Sequence, residues 1–224
     1  MNTYMYIALI VVVGLLGAWS AVSYFVERSV KTPAYTVIEE RPGYEVRLYE
    51  PYLTAQVQVS GTHEEGLNEG FRILAAYIFG ENTTQKSINM TAPVLEREAE
   101  KISMTAPVTV KDNEKLAMTA PVIERVTDKG RVVSFVMPAE YTLETLPKPN
   151  DSRVEIVPQE ARKVAALSFS WFRNGARVEK KQNELLSLLS RDEEVPIGTP
   201  EYAGYNAPLT APWMTHNEIL VEIE

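Results

Sequence analysis

Two stretches of this chain share one layout, and that constrains its fold more than any other feature. "YEVRLYEPYLTAQVQVSG", starting at Tyr44, runs strand, polar turn, strand, and "RVEIVPQEARKVAALSFSWF", starting at Arg153, does the same. From Leu53 to Val59 apolar and polar residues alternate, as a half-buried strand requires. Each stretch leads into an amphipathic helix. The first helix opens on a capping box of Thr62 and Glu65, carries Leu67, Phe71, Leu74 and Ile78 along one stripe, and stops at Gly80. The second is expected over roughly Ala176–Ser190, with Val178, Leu185, Leu186, Leu188 and Leu189 on its broad apolar side. The strand-like runs "RVVSFVMP" and "EILVEIE" follow the two helices. The reading is α+β: duplicated β-β-α-β halves forming a twisted antiparallel sheet or distorted barrel flanked by two helices.

Ahead of these halves lies an uncharged run, "YMYIALIVVVGLLGAWSAVSYFV", from Tyr4 to Val26. A helix of that length spans roughly 34 Å, enough for the hydrocarbon core of a bilayer. Tyr4, Tyr6, Trp19 and Tyr24 sit towards its ends, where amphipathic rings favour the interface. The expected organisation is a single transmembrane helix over 4–26, a linker over 27–34 and a domain over 35–224. Arg28, Lys31, Arg41 and Arg47 all follow the run, so the positive-inside bias places the domain in the cytoplasm. The competing reading is a signal peptide cleaved near Ala18-Trp19-Ser20, which would put the domain outside the cytoplasm.

"MTAPV" occurs three times, at Met90, Met104 and Met118, 14 residues apart. Over about 88–126 the spacing predicts an antiparallel meander inserted into the domain, with Met90 and Met118 at one end. Pro93, Pro107 and Pro121 each remove a ladder donor, so the insertion reads as an edge or protruding arm. Thioethers suit haem iron or Cu(I), which makes Met90 and Met118 candidate metal ligands; packing is the plain alternative. His216, beside Met214, is the candidate histidine ligand. His63, next to Glu64 and Glu65, reads as solvated. With no cysteine, disulfides, thiolate metal sites and covalent haem attachment are excluded. The net charge of −8 argues against nucleic acid as partner. No nucleophile–base set, zinc motif or phosphate loop is present, so the chain reads as a binding protein and not an enzyme.

Taken in order, "PGYEVRLYE", "VSGT…GFRILAAYIFG", "KISMTAPV" and "YAGYNAP…HNEILVEI" resemble the SOUL haem-binding family over about residues 35–224. The resemblance implies non-covalent binding of haem b or another tetrapyrrole in an apolar cleft. Its walls would be the Phe71–Tyr77 face of the first helix and the loop of residues 207–214. The implied contacts are Phe71, Arg72, Leu74, Ala75, Tyr77, Leu209 and Met214. Leu48 stands where some relatives carry an axial histidine. Ala75, Ala76 and Thr210 stand where animal relatives carry basic residues, leaving Arg72 for the propionates. The expected function is therefore a membrane-anchored haem or porphyrin binder, for buffering or delivery, with weak or no axial ligation. The alternative is a membrane-tethered interaction protein whose repeat arm binds a protein partner and whose cleft is vestigial or holds another apolar ligand.

Overall fold

The structure is a computed structural model and describes residues 3–27, 31–84, 113–206 and 210–224. Strand β1 (Tyr35–Arg41) precedes the two halves. Strands β2 (Tyr44–Tyr49) and β3 (Tyr52–Val59) recur 110 residues later as β8 (Val154–Gln159) and β9 (Arg162–Phe169). Each pair feeds a helix, α2 (His63–Ile78) or α3 (Gly175–Arg191). Each helix is followed by an antiparallel strand pair: β5 (Val122–Thr127) with β6 (Gly130–Val136), and β10 (Pro196–Gly204) with β11 (Asn217–Ile223). The repeated unit is thus β-β-α-β-β, one strand longer than expected. Two short strands, β4 (Asn82–Thr83) and β7 (Lys148–Pro149), pair with each other apart from the main sheet.

The nine-stranded sheet has the order β1-β2-β9-β11-β10-β5-β6-β3-β8, and its pairings are antiparallel. The first strand of each half lies against the second strand of the other: β2 pairs with β9, and β8 with β3. The links Glu50-Pro51 and Glu160-Ala161 therefore carry the chain between half-sheets and do not close hairpins. The two half-sheets meet where β5 pairs with β10, Ile123 opposite Ala203. The sheet is open, with β1 and β8 at its edges.

Alternation along the strands builds two cores on one face of the sheet. Ala55, Val57 and Val59 of β3 meet Leu74, Tyr77 and Ile78 of α2. Ala165, Leu167 and Phe169 of β9 meet Val178, Leu185 and Leu189 of α3. Each aliphatic side chain so buried stabilises the fold by ~1.5–3 kcal/mol. Leu67 packs against both cores. The capping box is present: Thr62 accepts from the Glu65 amide and the Glu65 side chain accepts from the Thr62 amide.

The opposite face of the sheet carries a buried ion pair. Arg47 holds Glu218 through two bonds of 3.0 and 2.9 Å, and Ser168, Tyr205 and His216 also bond that carboxylate. Burial alone would raise the Glu218 pKa. The bonds from His216 and Arg47, the Arg47 charge and the Tyr205 bond outweigh it and hold the group at about 2.

The expected membrane span is corrected. The uncharged run does form a helix, α1 (Thr3–Glu27), but no helix among the described residues is long and apolar enough to cross a membrane. The single-pass anchor and the localisation built on it fall with that finding. The physical reason is that absence of charge is not unbroken apolarity. The aliphatic stretch runs only from Ile7 to Leu16, about 15 Å of helix against a core of about 30 Å. Beyond it, Ser20 and Ser23 turn towards the domain: Ser23 Oγ accepts from the Ala211 amide at 3.0 Å, and Ser20 Oγ from Trp213 Nε1 at 3.3 Å. The 14-residue meander falls mostly outside the described residues. Its first two copies lie outside the described residues. The third is not a strand at Met118: among the described residues, regular pairing resumes only at Val122, the start of β5, after one bridge between Thr119 and Lys31.

Candidate functional site

At the seam between the halves, the helix-bearing face of the sheet leaves a cleft of about 140 Å³. Strand β10 supplies its floor, because alternation turns Tyr202 and Gly204 to that face and Glu201 and Ala203 to the other. Leu67, Asn68 and Phe71 of α2 form one wall, with Val122 of β5 beside them; Asn206 and Arg173 complete the rim. Phe71 is fixed edge-on against Phe135 at 5.2 Å. Gly204 is needed as glycine: a Cβ there would stand 2.7 Å from Tyr202 Oη. Tyr202 Oη donates to Asn217 Oδ1 at 2.7 Å. Burial pushes its phenol up to about 12, with Arg173 working against that shift, so the floor of the cleft stays uncharged.

Arg173 lies on the connection from β9 to α3. Trp171 on that connection has φ 77°, a conformation a bulky residue rarely adopts. Its amide donates to the Pro212 carbonyl at 3.1 Å, and its own carbonyl accepts from Thr215 Oγ1 at 3.1 Å. Asn174 caps α3 by accepting from the Arg177 amide at 2.9 Å. Trp171, Phe172 and Arg173 are exposed. His63 is not solvated as its acidic neighbours suggest. It is 5% exposed, with Nδ1 against the Glu124 carboxylate and Nε2 3.0 Å from the Arg173 carbonyl.

Of the residues expected to contact a ligand, Phe71 lines the cleft. Leu74 and Tyr77 stand wholly inside the core; Tyr77 Oη donates to the Pro147 carbonyl at 2.8 Å, and burial raises its pKa. Ala75 is half-buried, and Arg72 is exposed and outside the cleft lining. Met214 is half-buried in a 3₁₀ turn (Pro212–Met214), next to Trp213, which meets Trp19 of α1 edge-on at 5.3 Å. Leu209 and Met90 lie outside the described residues. Met118 is exposed, upstream of β5. His216 is on the far side of the sheet, its Nε2 2.9 Å from Glu218 and its ring 4.6 Å from Tyr205. The structure thus brings Phe71 to the cleft and keeps His216 and Met118 away from it. Among the described residues, no group of three or more His, Asp or Glu could hold a metal ion.

The cleft residues that sequence reasoning missed are Tyr202 and Gly204, together with Leu67, Asn68, Val122, Arg173 and Asn206. The alternation in "EYAGYN" carries the signal for the first two. Arg173 had only its place ahead of a helix cap, in "SWFRNG".

For a flat tetrapyrrole the residues present fit in kind. Phe71 offers aromatic surface, Leu67 and Val122 aliphatic surface, and Arg173 a cation for a carboxylate. The volume is smaller than the ~300–1,000 Å³ of pockets that enclose a whole ligand, so an edge seats while much of the ring stays outside. None of the described lining residues is His, Met or Cys, and the hydroxyl of the one tyrosine there, Tyr202, is bonded to Asn217.

A family model described as "SOUL heme-binding protein" matches residues 30–222. "Heme-binding protein 2" of Homo sapiens is 28% identical over 188 residues, covering 81% of each chain. Among solved structures, the C-terminal domain of EcmrR aligns with a TM-score of 0.51 at 9% identity, over 81% of this chain and 98% of that one. At that identity the likeness shows the fold alone.

Proposed function

The chain belongs to the SOUL haem-binding family, and from that premise we propose that it holds haem or a related tetrapyrrole non-covalently in the seam cleft. It serves there as a buffer or carrier. The observation that supports this reading most is the pairing of an apolar, partly aromatic cleft with one guanidinium at its rim. Ring burial drives binding, at ~25 cal/mol per Å² of apolar area removed from water. Arg173 pairs a propionate, the role expected of Arg72. Iron receives weak or no axial ligation from the described lining. A ligand seated by one edge has few contacts to break on leaving, which suits transfer better than long-term storage.

Titration of haemin into the full chain tests this, followed by Soret absorbance and by quenching of Trp171. Saturation near one equivalent is expected. Phe71→Ala is expected to weaken binding about tenfold, the scale of one lost aromatic contact. A response that does not saturate, or that ignores both Phe71→Ala and Gly204→Val, counts against the cleft.

A further inference from the structure

His63 does not line the cleft, yet both of its ring nitrogens are committed in a way that reaches it. The Arg173 carbonyl oxygen can only accept, so Nε2 carries a hydrogen and donates it across 3.0 Å. Nδ1 meets one oxygen of Glu124, and the other oxygen accepts from Arg131 Nη1 at 2.8 Å. Arg131 Nε donates in turn to the Gly61 carbonyl at 3.1 Å, just ahead of the α2 cap. A continuous chain of bonds therefore runs from the start of α2, through β6 and β5, to the backbone of Arg173. The imidazole also stands edge-on to Tyr202, ring centroids 5.2 Å apart, so its plane is fixed by packing as well as by bonding.

The segment at the end of this chain needs holding. Trp171 sits at φ 77°, and such strain persists only where the surroundings over-determine it. The Pro212 and Thr215 bonds fix the segment at Trp171, and the Asn174 cap fixes it at α3. Between those ties lies the backbone carbonyl that His63 holds.

We infer that His63 is a positioning residue: by holding the Arg173 carbonyl it fixes the direction from which the Arg173 side chain enters the cleft, and so sets a preference for ligands with carboxylates at their edge. This rests on the proposed reading of the cleft as a tetrapyrrole site with Arg173 as the carboxylate partner. His63 touches no ligand itself.

The test compares protoporphyrin IX with its dimethyl ester, which has the same ring without the charges. Affinities for the full chain are read by tryptophan quenching, with circular dichroism to verify the fold of each variant. Arg173→Gln is expected to weaken the free acid about fivefold, the scale of an exposed ion pair, and to leave the ester unchanged. His63→Asn keeps an amide near Glu124 but is too short to reach the Arg173 carbonyl, so it is expected to reproduce that loss. His63→Gln reaches the carbonyl and is expected to keep the acid preference. Combining His63→Asn with Arg173→Gln is expected to add nothing. The inference is overturned if His63→Asn weakens both porphyrins equally or neither, or if His63→Gln loses the acid preference. Should His63→Asn not fold, His63→Gln decides alone. If Arg173→Gln leaves the acid-to-ester ratio unchanged, the carboxylate contact of the proposed function fails first, and the role of His63 falls with it.

Discussion

The two halves share one strand plan, but their helices are seated differently. Gly66 and Gly70 let α2 lie directly on the sheet: a Cβ at Gly70 would come within 2.6 Å of Val133. At the same steps from its own start, α3 carries Val178 and Gln182, and it rests on Val178, Leu185 and Leu189. The α2 wall of the cleft is therefore set by close packing. The facing rim, just ahead of α3, is set by hydrogen bonds to a strained connection. The repeated strand plan is the scaffold; the difference between the helices leaves a cleft with one packed wall and one tethered rim.

The half-sheet under α3, to which β2 is exchanged, has a buried ion pair on its other face, and breaking that pair should have the largest effect. Glu218→Gln leaves Arg47 buried without a full countercharge and is expected to lower stability by about 3–5 kcal/mol in urea unfolding. The pH dependence follows with a definite sign. The folded-state pKa of Glu218 is depressed to about 2 from the model-compound value of 4.5. Its contribution is thus complete above pH 4.5 and is lost as pH falls through 2. That contribution is of order 3 kcal/mol. Acid titration of the melting temperature should show this loss, and Glu218→Gln should flatten it. A mutant as acid-sensitive as the parent would remove the ion pair from the account.

A matched pair sharpens the comparison of the helices. Gly70→Ala pushes a methyl into Val133 and is expected to destabilise by about 1–3 kcal/mol. Gln182→Ala, at the corresponding step of α3, should change stability by less than ~0.5 kcal/mol. Equal effects would mean that the helices are seated alike. The smallest expected difference is at the caps. Thr62→Ala and Asn174→Ala should each cost ~1 kcal/mol, but only Asn174→Ala should also weaken porphyrin binding, because it frees one end of the Arg173 segment.

Much of this fold is legible in the letters. Alternation in β3 and β9 gives the strands and their buried faces, and Thr62 with Glu65 marks the start of α2. The strand exchange is not legible, because a two-residue link such as Glu50-Pro51 reads the same whether the chain turns back or crosses over. The burial of His63 is hidden in the sequence for a similar reason. Its sequence neighbours are acidic, while the partner that buries it, Glu124, is 61 residues away. Arg173 gave no periodic signal, since it belongs to neither strand nor helix. The absence of charge in α1 suggests a membrane span but says nothing of the hydroxyls of Ser20 and Ser23 that bond the domain. At the cleft, Phe71 was visible through the helix stripe. Tyr202 and Gly204 needed the pairing of β10 with β5 to place them on its floor.

The most direct test of ligand binding at the seam is a titration with protoporphyrin IX monitored by ring-current shifts in the NMR spectrum of the full chain. The account predicts saturable shifts concentrated on Leu67, Phe71, Val122, Tyr202 and Gly204. Shifts gathered instead around Tyr205 and His216, on the far face of the sheet, would contradict it.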